Sequence, residues 1–109
     1  VASSRLASEL HVGSTIFKQA SFSSEYFYPL LEPWKHYVPI AENLEDVAAK
    51  VRWANDHPAE ARAIAAAGQV FARAHLHETA VACYWWQLLS AFGELQNFEP
   101  RVGGFRALT

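Results

Sequence analysis

Ser3, Ser4 and Arg5 open a segment with helical patterning, and their types suit an anion. Two hydroxyls, the unpaired backbone N–H groups of a helix start and a guanidinium could together hold a phosphate or diphosphate. Taken alone, such a start is most often a helix cap followed by a solvated arginine. Glu25 opens the helical stretch after the first expected strand, where a carboxylate can hold ribose hydroxyls. The plainer reading is a carboxylate stabilised by the helix N-terminus. Lys18 ends that strand and could face a ligand, although a solvated lysine at a sheet edge is commoner.

Other chemistries find no support in the residues. His75 and His77 are the closest histidine pair, and no further Cys, His or acid stands at zinc spacing. Asp46 and Asp56 are the sole aspartates, so there is no Asp-x-Asp motif. No Gly-rich phosphate loop, no Gly-x-Ser-x-Gly and no acid pair spaced for acid–base work occurs. The net charge of −2 gives no electrostatic reason to expect nucleic acid. No apolar run approaches the roughly 18 residues of a membrane helix. Cys83 is the single cysteine and cannot close an internal disulfide. The chain opens at Val1 and contains no Met, and the expectation is a fragment of a longer protein.

These candidates must be held by a fold, and 109 residues with 51% apolar content suffice for one core. A helix is expected from Ser3 or Ser4 to Leu10, stopped by Gly13. Ser14–Gln19 is β-branched and aromatic, the pattern of a strand. Ser24 can cap a short helix over Glu25–Leu31, and Tyr37–Ile40 reads as a second strand with Pro39 at an edge or end. Between Tyr26 and Ile40 lie five aromatic rings and three prolines, a stiff connector that suits a buried crossing. Three helices follow. The first is capped by Asn43, with Asp46 completing a capping box, and runs to about Asn55 on a face of Leu44, Val47, Val51 and Ala54. The second starts at His57-Pro58 and runs to about Ala74, and the third covers Glu78–Gln96. Residues 1–98 are read as one unit and 99–109 as a tail. The two strands should lie parallel, joined by a crossover. Tyr28, Trp34, Tyr84, Trp85 and Leu88 are expected to be buried, and Trp86 partly exposed.

The order of these motifs resembles the C-terminal part of glycosyltransferase family 90, the capsule-associated-protein type enzymes that include the Rumi-like, KDEL-motif-containing protein O-glucosyltransferases. The match rests on Ala2-Ser3-Ser4-Arg5, Gly13–Gln19, Glu25–Pro29, Pro33-Trp34-Lys35-His36-Tyr37-Val38-Pro39, and the helical end with Ala67-Gly68-Gln69 and Cys83-Tyr84. Ser4 stands where the family usually has an aromatic residue, and Val12 where many members have a cysteine. The resemblance implies an α/β fold, here the Rossmann-like C-terminal portion of a two-lobed GT-B enzyme. It implies inverting transfer of glucose or xylose from a UDP-sugar to an acceptor hydroxyl on a protein or glycan, with no metal or other cofactor required. Ser3, Ser4 and Arg5 would contact the donor, Arg5 at the diphosphate, with Glu25 a ribose candidate. The catalytic base would lie upstream, leaving this fragment alone inactive. The resemblance further implies a disulfide from Cys83 to a cysteine outside the chain, and residence in the endoplasmic reticulum or Golgi lumen. The rival reading is a helical interaction or scaffolding module whose aromatic faces bind a protein.

Overall fold

The computed structural model describes residues 4–98. Four helices and two short strands give a mixed α/β architecture, in the order α1 (Arg5–Val12), β1 (Phe17–Gln19), β2 (Val38–Ile40), α2 (Val47–Asp56), α3 (Pro58–His75) and α4 (Glu78–Glu94). The expected tail at 99–109 lies outside the described residues.

α1 presents Leu6 and Leu10, four residues apart, to α3. It stops at Gly13, whose φ of 80° belongs to the left-handed region that glycine enters without strain. The side chain of Ser4, expected as a cap, makes no capping hydrogen bond. Its backbone is already close to helical, so its hydroxyl is not directed at the first free N–H groups.

β1 and β2 pair in parallel, with Phe17 opposite Val38 and Gln19 opposite Ile40. The expected parallel crossing is therefore present. β1 is shorter than its sequence suggests, covering Phe17–Gln19; Thr15 lies before it, and its Oγ1 donates to the Ala61 carbonyl of α3 at 2.8 Å. Pro39 sits mid-strand, yet the ladder survives. Val38 N–H donates to Ile16 O and Ala20 N–H donates to Ile40 O, each at 2.8 Å, so the missing donor falls on the side away from β1.

The crossover is less helical than expected. Only Tyr28–Leu30 form a single 3₁₀ turn, and Leu31 is already extended. Pro33 follows closely and would oppose any further helical turn. Phe27, Leu31, His36 and Val38 are buried as the connector passes over α3. Gly68 of α3 permits this approach: a Cβ there would meet the His36 carbonyl oxygen at 3.0 Å and Leu10 at 3.1 Å. Trp34 does not follow the expectation of burial. It sits at φ 65° in the tight bend closed by its N–H donating to Tyr37 O, and that bend turns its ring outward against Trp53 and under the Lys50 ammonium.

α2 begins at Val47 rather than after Asn43. The capping box fails because its members are engaged elsewhere: Asn43 Oδ1 accepts from Glu45 N–H, and Asp46 Oδ1 accepts from Ala41 N–H. Leu44 lies in the left-handed region, and the expected apolar face finds little cover, since α2 buries no residue fully. α3 starts at Pro58 as expected and supplies Ile64, Phe71 and Ala72 to the interior. The core joins Leu6, Leu10, Ile16, Phe27, Leu31, Phe71, Ala72 and Leu76.

α4 corrects the largest expectation. Its helical periodicity is real, and His77 Nδ1 accepts from Ala80 N–H at its start, but it buries no residue fully. Tyr84 is half-buried, stacked on Tyr26 with ring centroids 4.1 Å apart, and Tyr28 is likewise half-buried. Trp85, Trp86, Leu88, Leu89, Phe92 and Leu95 are exposed. A periodic apolar stripe requires a partner surface, and within the described residues α4 meets only the edge of the core. The molecule is accordingly elongated, 62 × 29 × 29 Å.

Candidate functional site

Parallel strands leave a crevice outside their carboxyl ends, where α/β proteins bind ligands. Here β1 and β2 end at Gln19 and Ile40, and a cleft of about 520 Å³ opens along β1 and the loop after it. That volume lies within the roughly 300–1,000 Å³ typical of ligand sites. The cleft lining includes Arg5 and Glu9 of α1, Lys18 and Gln19 of β1, Tyr28 of the connector and Glu42 after β2. Phe22, on the loop after β1, is 93% exposed and also borders the opening. The charges are mixed, two cations against two carboxylates.

Each position has a local cause. Arg5 is the first residue of α1 and stays exposed beside the cleft, while its neighbour Leu6 is buried in the core. α1 is anchored to α3 at its other end, where Gln69 Nε2 donates to the His11 carbonyl at 2.9 Å. Glu42 is fixed from the opposite side, since Gln19 Nε2 donates to its carbonyl. Lys18 lies with its Nζ 4.4 Å from the Tyr28 ring centroid and 5.5 Å from that of Tyr37. Partial burial pushes the Lys18 ammonium below the usual lysine range.

Of the residues singled out for donor contact, Arg5 lines this cleft. Ser4 is exposed at the helix start and Glu25 is half-buried, and neither is among the cleft-lining residues. Ser3 lies outside the described residues. The Glu25 carbonyl accepts from Tyr28 N–H in the turn that carries the chain away from β1. Glu42 was not singled out from the sequence. The signal for it is its place just past the second expected strand, Tyr37–Ile40, on the carboxyl side where a parallel pair receives a ligand.

A second arrangement lies in the connector, outside this cleft. His36 is buried, and its Nδ1 accepts from Glu32 N–H at 2.9 Å, which requires the neutral ring with its proton on Nε2. Its ring lies 5.1 Å from that of Phe71. Desolvation pushes its pKa below the ordinary 6.5, Lys35 and His75 act in the same direction, and Glu32 opposes them. The unfolded chain then binds a proton that the folded chain refuses. The His36 contribution to stability is therefore complete above 6.5 and is lost as pH falls from there through the lower folded value. An NMR titration of the His36 imidazole should give a midpoint below 6.5, and one above it would reverse the sign.

Among the described residues, no group of three His, Cys, Asp or Glu side chains could hold a metal ion, and no helix is long and apolar enough to cross a membrane.

Comparison with known proteins places this geometry in context. Residues 1–104 match the family model for glycosyl transferase family 90. The chain is 45% identical to protein O-glucosyltransferase 2 of Danio rerio over 102 residues, covering 94% of this chain and 20% of that protein. It is 46% identical to Homo sapiens protein O-glucosyltransferase 3 over 89 residues, covering 82% of this chain and 18% of that protein. Homo sapiens protein O-glucosyltransferase 1 is 33% identical over 87 residues, 80% of this chain and 22% of that protein. The chain thus spans about a fifth of the length of these relatives. A family match along nearly the whole chain, joined by these identities, shows that the chain belongs to glycosyltransferase family 90.

Proposed function

We propose that this segment forms a donor-binding wall of an inverting, UDP-sugar-dependent protein O-glucosyltransferase with a two-lobed, GT-B type architecture. The observation that carries the reading is the cleft at the carboxyl end of β1, with Arg5 on its wall. Membership in a glycosyltransferase family and the names of the relatives support reading the cleft as a sugar-donor site. The sugar is glucose or xylose, the acceptor a protein hydroxyl, and the setting the lumen of the secretory pathway. A helical scaffold would not account for Arg5 and Lys18 lining a cleft beside parallel strands.

In this reading the acceptor oxygen attacks the anomeric carbon as the bond from that carbon to the diphosphate breaks. The acceptor proton passes to a carboxylate supplied by another part of the enzyme, and UDP departs with the bonding pair. Negative charge then grows on the β-phosphate. Arg5 meets it with two parallel N–H donors, which suits a phosphate better than a single ammonium. The ribose hydroxyls face Glu42 at the cleft, and Glu25 would reach them only from beyond the lining residues.

The test is transfer by the full-length enzyme from UDP-glucose and UDP-xylose to a folded protein acceptor, in the presence of a chelator. The expected result is persistent transfer and a product of opposite anomeric configuration to the donor. Retained configuration, or activity abolished by the chelator and restored by a divalent cation, would overturn the mechanism.

A further inference from the structure

We propose that Lys18 is a second cationic contact for the donor diphosphate, held in place by tyrosine rings instead of by a carboxylate. The inference rests on the donor site proposed above and assigns a second residue of that site. Three observations carry it. Lys18 is the penultimate residue of β1, next to the crevice where a parallel pair receives a ligand. It lines the same cleft as Arg5. Its ammonium lies over the Tyr28 ring at 4.4 Å and near the Tyr37 ring at 5.5 Å, and among the described residues it forms no ion pair.

The choice of rings over a carboxylate matters chemically. A lysine paired with a carboxylate is neutralised, and a phosphate must break that pair before it can bind. A π-face attracts the ammonium yet leaves the net charge uncompensated. The rings also restrict a four-carbon side chain that otherwise loses much rotamer freedom when it binds a ligand. Desolvation lowers the Lys18 pKa, so an incoming anion meets an ammonium that water screens less. Glu9 and Glu42 line the same cleft but form no ion pair with Lys18, which leaves its charge directed at a ligand.

The two cations would then divide the work. Arg5 lines the cleft from a helix start, and Lys18 from a strand. A diphosphate spanning the cleft can meet both, whereas a nucleoside without phosphates needs neither.

The experiment compares UDP with uridine as probes, by calorimetry on the full-length enzyme. Lys18→Met keeps the aliphatic stem on the tyrosine rings and removes the charge. It should weaken UDP about 10-fold or more while leaving uridine affinity within about 2-fold, given that tenfold corresponds to about 1.4 kcal/mol. Lys18→Arg should retain most of the UDP affinity. The dependence of UDP affinity on salt should be shallower in Lys18→Met, which a purely structural lysine would not produce. Equal loss for UDP and uridine, or no loss for either, would overturn the Lys18 assignment, and Lys18→Gln provides the same comparison should the Met variant fail to fold. Arg5→Ala separates the two levels. If it weakens UDP and Lys18→Met does not, the Lys18 inference alone fails; if neither does, the placement of the donor in this cleft fails with it.

Discussion

Arg5→Ala in the full-length enzyme is expected to lower transfer by about 10²–10³-fold, the usual loss when a single donor to a developing oxyanion is removed. On the proposed UDP-sugar mechanism the effect should fall mainly on kcat, because charge on the β-phosphate would grow as the bond to the sugar breaks and would be larger in the transition state than in bound donor. Arg5→Lys keeps the charge but loses the two-pronged geometry, and should recover only part of the activity. The fold should survive both changes, since Arg5 is exposed while its neighbour Leu6 supplies the packing. Steady-state kinetics with a melting curve on the same preparations provides the measurement. Unchanged kcat in Arg5→Ala would remove the guanidinium from the mechanism.

Phe71→Ala should be strongly destabilising, at about 3–5 kcal/mol for truncation of a buried Phe. Phe71 is 6% exposed and stands where α3, the connector and α1 converge. Removing its ring also takes away a wall of the site that holds His36, so the connector should loosen with it. Trp85→Ala makes the contrast. Trp85 is 52% exposed, and in this segment its truncation should cost much less despite the larger side chain. Urea denaturation of both variants checks the ranking, and a larger loss for Trp85→Ala would reverse it.

Sequence patterning reads elements well where the cause is local. Gly13 had to end a helix and Pro58 was suited to begin one, and both do so. The parallel crossing was legible because the two β-patterned runs are separated by a connection long enough to permit one. Partner competition was not legible. Thr15 looked like a strand residue and instead gives its hydroxyl to α3, and Asp46 looked like a cap member and instead accepts from Ala41. Helical periodicity in α4 identified the helix but said nothing of what covers it, because periodicity reports which residues share a face and not whether a surface meets that face. At the site, Arg5 was visible as a helix-start cation. The ring clamp on Lys18 was not, since Tyr28 and Tyr37 approach it only through the turn and the strand pairing that the crossover creates.

The bare face of α4 has an optical consequence. Trp85 and Trp86 are adjacent, and both indoles meet water, whereas Trp53 is half-buried between Trp34 and His57. Emission from the α4 pair should therefore be red-shifted and readily quenched by a soluble collider such as iodide. Any surface that comes to lie on this helix must exclude solvent from those two rings first. Its arrival would be recorded as a blue shift and as protection from the quencher, without a label and without reference to catalysis. Trp85→Phe together with Trp86→Phe should abolish that signal while leaving emission from Trp34 and Trp53 in place.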